Sequence, residues 1–87
     1  MTLEFPNSSR SYDERRNAVR FTGHDGMFEV PFLVEASVLA RAGKAVLSEN
    51  ELLAAFDTAR KSILDVAREA YSHGRRNSYT LTAADFR

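Results

Sequence analysis

His24 and Asp25 stand side by side in the stretch TGHDGM, and an adjacent His–Asp pair is a donor set that metal-dependent phosphohydrolases use. Such a centre needs several further His and Asp ligands converging from other elements. The chain has one other histidine, His73, and no cysteine. With glycine on both sides, GHDG reads instead as a hairpin tip, since glycine takes positive φ and short polar residues suit exposed turns. His73 beside Ser72 is the other acid–base candidate. Adjacent helical residues do not face one another, and a basic residue in a last helical turn is accounted for by the helix dipole. No glycine-rich phosphate loop, nucleophile elbow or metal-helix motif occurs. Glu49, Glu51, Asp57, Asp65 and Glu69 lie mostly off the apolar stripe of their segment and read as a solvated face. The expectation is a chain with no catalytic, metal or cofactor site, and so not an enzyme.

Arginines supply the remaining chemistry. Arg75 and Arg76 in GRRNS could clamp a phosphate or carboxylate in bidentate fashion, and Arg15 and Arg16, with Arg10 and Arg20, could add to that patch. Nucleic-acid binding would further need exposed aromatics among the cations or a groove-shaped helix; Tyr12 and Tyr79 are the candidates, and Tyr79 has an inward-facing alternative. Formal net charge is zero over 12 basic and 12 acidic residues, so no overall field draws the chain to nucleic acid or membrane. Solvated arginines are the favoured reading and anion binding the alternative.

The elements that must position these groups follow from hydrophobic periodicity. Leu3 to Phe5 is a candidate short strand stopped by Pro6, and residues 6–17 read as loop, so that 1–17 form a partly irregular N-terminal segment. AVRFT alternates, as does MFEVPFLVE, in which Phe28, Val30, Phe32 and Val34 share a face. Two such runs around GHDG make a β-hairpin. Pro31 lacks a ladder N–H and predicts an edge strand, a bulge or a departure from the sheet. EASVLARAG predicts a short helix closed by Gly43. Ser48 and Glu51 form a capping box, with Leu47 and Leu52 placed as a hydrophobic staple. From there Leu52, Phe56, Ala59, Ile63, Val66 and Ala70 repeat at 4-3-4-3-4, predicting one helix to Gly74 of roughly 25 residues, about 37 Å long. Leu53, Leu64, Ala67 and Tyr71 broaden that stripe, and Leu53, Leu64 and Tyr71 are candidates for an oligomer contact. SYTLT reads as a last strand with Tyr79 and Leu81 inward, and Thr82 with Asp85 suggests a terminal helical turn. Five phenylalanines (Phe5, Phe21, Phe28, Phe32 and Phe56) fall on inward stripes.

A sheet with one apolar face needs a cover, and the long helix offers a matching stripe. The predicted fold is therefore α+β: a two-layer sandwich with a small antiparallel sheet of three or four strands under one long and one short helix, in the order β-β-β-α-α-β. At 87 residues, 44% of them hydrophobic and 28% charged, the chain reads as one globular domain, 1–87. Absence of cysteine fits a reducing compartment. No apolar run approaches a membrane span, and the N-terminus lacks the apolar core of a signal peptide. A cytoplasmic protein is expected.

Taken together, LEFPNSSRSYD, AVRFTGHD, PFLVEAS, LLAAFDTARKSILDVA and YTLTAADF resemble a bacterial family of small proteins grouped as domain of unknown function 1488, over essentially the whole chain. The resemblance implies a compact α+β fold and brings no activity, cofactor or catalytic residue with it. The expected function is a non-enzymatic accessory or regulatory domain working through protein contacts, with another protein or with itself as a homodimer. Nucleic-acid or phosphate-ligand binding through the arginines is the alternative.

Overall fold

A computed structural model describes residues 3–6, 9–40, 48–74 and 78–86 of the chain. Its centre is a hairpin of β2 (Ala18–Asp25) and β3 (Phe28–Glu35). The alternation places Val19 opposite Val34 and Phe21 opposite Phe32, and all four are buried on the face that meets the helices. The turn is shorter and later than the glycine pair suggested. Asp25 pairs with Phe28 across a two-residue loop of Gly26 and Met27, so His24 and Asp25 are strand residues and not turn residues. Gly26 has φ 63° and Met27 is not left-handed, the combination of a type II′ turn with glycine first. Gly23 looked like a turn residue for another reason. Leu3 and Phe5 pack over it, and a Cβ there would lie 2.8 Å from Phe5 Cε1.

The N-terminal segment is more regular than its composition predicts. The first strand is β1, Ser11–Asp13, inside the stretch expected to be loop, and it pairs antiparallel with Ala18 to Arg20. Residues 3–5 contribute one isolated bridge, Glu4 to His24, on the same edge of β2. Three residues at an edge carry no detectable alternation, which is why the polar composition prevailed. The β1–β2 connection closes through Asn17, in the left-handed region at φ 50°. Its side-chain Oδ1 accepts from Tyr12 Oη–H at 2.8 Å, a local bond typical of asparagine in turns.

The fourth strand, β4 (Tyr79–Leu81), joins β3 in parallel, with Phe32 opposite Tyr79 and Val34 opposite Leu81. The sheet order is β1-β2-β3-β4, so the sheet is mixed and not wholly antiparallel. It also makes β3 an inner strand, not an edge. Pro31 is accommodated because the β4 ladder begins only at Phe32. Tyr79 and Leu81 point inward and are buried, as their alternation predicted.

Helix α1 spans Ala36–Leu39; Gly43 and Leu47 lie outside the described residues. Helix α2 spans Glu49–Thr58 and begins with the expected capping box. Ser48 Oγ accepts the Glu51 N–H at 3.2 Å, and Glu51 Oε1 accepts the Ser48 N–H at 3.0 Å. The long helix is not continuous: α3 runs Arg60–Ser72 after a break at Ala59, where φ is −99° and ψ 11°. Bonds of the i to i−4 kind reach Ala59 from both sides, Ala59 N to Ala55 O and Ile63 N to Ala59 O, each 3.0 Å, so the element is kinked there. Thr58 Oγ1 donates back to Ala54 O at 3.0 Å, a competing bond of the kind that bends helices.

The buried stripe is Leu52, Phe56, Ile63 and Ala67, while Ala59, Val66 and Ala70 are half-buried. After the break at Ala59 the sheet-facing side of α3 is Ile63 and Ala67, four apart, with Val66 and Ala70 beside it. The helices cover one sheet face, over a cluster in which Phe21 stacks on Phe32 (5.3 Å) and Phe32 on Tyr79 (5.1 Å). Strands with one apolar face, then helices that cover it, give the expected two-layer α+β class. Thr82 to Phe86 closes the chain as anticipated, with a 3-10 turn at Ala83–Phe86 and Asp85 Oδ2 accepting the Thr82 N–H at 2.8 Å.

Candidate interaction site

His24 and Asp25 occupy the last two positions of β2 and are not gathered with other ligands. His24 exchanges backbone bonds with Glu4 at 2.8 and 2.7 Å, and the Asp25 carboxylate accepts a hydrogen bond from the Tyr71 hydroxyl at the end of α3. Among the described residues, no three His, Cys, Asp or Glu side chains could together hold a metal ion. His73 closes α3 with Nε2 3.7 Å from Glu69 Oε1, both side chains 76% exposed.

The arginines divide into two groups. Four are committed to neighbours. Arg10 grips Asp57 in bidentate fashion (Nε–Oδ1 2.9 Å, Nη2–Oδ2 2.7 Å), and Arg60 reaches the same carboxylate at 2.8 Å. Arg20 pairs with Asp13 at 2.7 Å. Arg68 donates to the Leu3 carbonyl at 3.3 Å and lies 5.2 Å from the Phe5 ring centroid. These contacts set the electrostatics. The Arg10 hydrogen bond, aided by Arg60, holds the Asp57 carboxyl below the usual carboxylate range. The Arg16 backbone N–H, aided by Arg20, does the same for Asp13. The Asp57 bond in turn raises the Arg10 guanidinium.

Arg15 and Arg16 are exposed together in the β1–β2 connection, beside the Ala18–Glu35 end of the hairpin. Arg75 and Arg76 lie outside the described residues. Of the oligomer candidates, Leu53, Leu64 and Tyr71 are each half-buried and packed on the core. Tyr71 is edge-on to Tyr79 at 6.0 Å.

The feature that sequence reasoning missed is at the hairpin tip. Among the described residues the large apolar side chains left in solvent are Met27, 97% exposed, and Phe28, 77% exposed. Phe28 was expected in the core. It has the inward parity, but the helical cover gives out at Tyr71, whose hydroxyl reaches Asp25, and Ser72, His73 and Gly74 are exposed. Assigning the turn to Gly26 alone would have exposed the pair, because it moves Met27 into the loop and Phe28 to the outermost rung. The tip is built firmly: a two-residue turn, a strand ladder and the Tyr71–Asp25 bond hold it. Such a preformed apolar knob loses little freedom on docking.

A two-layer α+β domain carrying an apolar hairpin tip is thus the class of protein that fold and surface define. The chain belongs to the family described as Protein of unknown function (DUF1488), whose model matches residues 3–82, as the sequence resemblance anticipated. It is similar to the crystal structure of a protein of unknown function from that family, from Shewanella loihica PV-4. The TM-score is 0.80 at 16% identity, over 93% of this chain and 94% of that one; at that identity the likeness concerns the fold. No curated protein matches the chain. No helix among the described residues is long and apolar enough to cross a membrane.

Proposed function

We propose that this chain is a non-enzymatic, cytoplasmic interaction domain that docks its hairpin tip into an apolar recess on another protein. The observation that carries the reading is the exposure of Met27 and Phe28 at a two-residue hairpin turn. Fully burying such side chains is worth about 1.5–3 kcal/mol each, which folding of this chain leaves uncollected. Adjacent apolar residues at a tip, with Asp25 and Glu29 beside them to keep the free protein soluble, suit a reversible contact better than a permanent one.

Anion binding keeps a narrower base, the exposed Arg15 and Arg16, because Arg10, Arg20, Arg60 and Arg68 already have carboxylate partners. Affinity capture of the tagged chain from lysate, with and without nuclease, separates the two readings. Proteins retained after nuclease by wild type and lost with Met27→Ser/Phe28→Ser support tip docking. Recovery abolished by nuclease and by Arg15→Ala/Arg16→Ala overturns it in favour of nucleic acid. Light scattering of the chain alone decides self-association: a monomer at high concentration removes the homodimer through Leu53, Leu64 and Tyr71.

A further inference from the structure

A second surface, which does not include Met27 or Phe28 and is independent of that reading, lies along the flank of the helical layer. At the α2–α3 kink, Ala55, Ala59 and Ile63 floor a groove of about 490 Å3 between Leu39 of α1 and Phe86 of the terminal turn. Among the described residues, no charged side chain lines that stretch. A second cavity of about 400 Å3, over Val66 and Ala70, adjoins it and shares Ser62 and Phe86 as lining. The character changes there, because Glu69, His73 and Asp85 line the far end. From Ala55 to His73 the groove follows the helices for about 27 Å at 1.5 Å per residue.

The geometry points to a basic amphipathic helix of a partner protein as the occupant. Alanines on the floor let a helix backbone come close, while Phe86 and Leu39 offer walls for its apolar side chains. The wall of a helix has its own backbone bonds satisfied, so an extended peptide laid along it would leave its N–H and C=O groups unpaired; a helix brings its own. The charge pattern sets polarity and sign. Among the described residues, one end is lined without charge and the other presents two carboxylates against one histidine, so the partner helix carries lysine or arginine at the end that meets Glu69 and Asp85.

The test uses the full chain and two synthetic 18-residue amphipathic helices of leucine and alanine, one ending in lysines and the other in glutamates, with binding read by fluorescence anisotropy. The lysine peptide should bind and the glutamate peptide should bind at least tenfold more weakly. Ser62→Trp, at an exposed position where the two stretches meet, should weaken the lysine peptide at least tenfold with an unchanged circular dichroism spectrum. Glu69→Lys, on the solvent-exposed end, should weaken the lysine peptide and strengthen the glutamate one. Met27→Ser/Phe28→Ser should leave both affinities as they are, so failure here and failure of tip docking are told apart. Equal affinity for the two peptides, indifference to Ser62→Trp and Glu69→Lys, or no binding of either peptide overturns the proposal. So does a wild-type dimer in sedimentation that Ser62→Trp dissolves, since the occupant would then be a second copy.

Discussion

Replacing Gly23 by alanine would set a methyl group 2.8 Å from Phe5 Cε1, 3.0 Å from Leu3 Cδ1 and 3.2 Å from Phe5 Cζ. Leu3 can swing a terminal methyl aside, but Phe5 is a rigid ring set between Phe21 and Phe32, each 5.9 Å away. The N-terminal segment must therefore lift from β2, straining the Glu4–His24 bridge and the Arg68 bond to the Leu3 carbonyl. Overpacking of this kind costs about 1–3 kcal/mol, and lower unfolded-state entropy returns about 0.4–1 kcal/mol of it. The expected net loss is about 1–2 kcal/mol, and each kcal/mol corresponds to about 4–8 °C in Tm for a domain of this size. Chemical denaturation of Gly23→Ala, Phe5→Ala and the double variant measures it. Once Phe5 is truncated, most of the clash is gone, so the double variant should be more stable than the sum of the singles implies. A Gly23→Ala protein as stable as wild type, or strict additivity with Phe5→Ala, would refute the packing of the N-terminal segment over β2.

Three further outcomes are expected. Ser48→Ala removes one side of the capping box and should cost about 0.5–2 kcal/mol in denaturant titration; no loss would mean α2 is held by packing alone. Ile63→Ala should cost about 2–5 kcal/mol and Val66→Ala roughly 1 kcal/mol or less; the reverse order would place the buried stripe on the heptad line after all. By NMR titration, Asp57 and Asp13 should titrate below the usual carboxylate range, and Arg10→Ala should return Asp57 towards it. A depressed folded-state pKa means the unfolded chain takes up protons first. The contribution is complete above the ordinary carboxylate pKa and declines as pH falls through the folded-state values. Ordinary pKa values for both acids would remove this contribution.

The legible parts of the sequence were those written in side-chain period and local bonding. Val19 and Phe21, the Val30–Phe32–Val34 run and Tyr79–Leu81 alternate because each sits on a half-buried sheet. The Ser48–Glu51 box is a bond between near neighbours. What escaped depends on distant partners. β1 is an edge strand with little apolar content, stabilised by pairing to β2 and by the Tyr12–Asn17 bond, which no alternation announces. The parallel addition of β4 is decided by the α1–α3 crossover. The break at Ala59 adjoins the back-bond from the Thr58 hydroxyl to Ala54 O, whose rotamer a sequence does not specify. At the candidate site the pair GHDG drew attention to two glycines of different purpose, Gly23 for the ring of Phe5 and Gly26 for the turn, and this concealed the exposed Met27 and Phe28. The Arg15–Arg16 pair was legible, whereas the commitment of Arg10 to Asp57, 47 positions away, was not.

Tip docking is tested most directly by measuring the stability and the protein captures of Met27→Ser/Phe28→Ser side by side with wild type. Side chains that fold into nothing should be replaceable at a cost within about 0.5 kcal/mol, so the expected result is an unchanged denaturation midpoint with loss of the captured partner. A variant that unfolds earlier, or one that keeps every partner, would contradict the assignment of Met27 and Phe28 to docking.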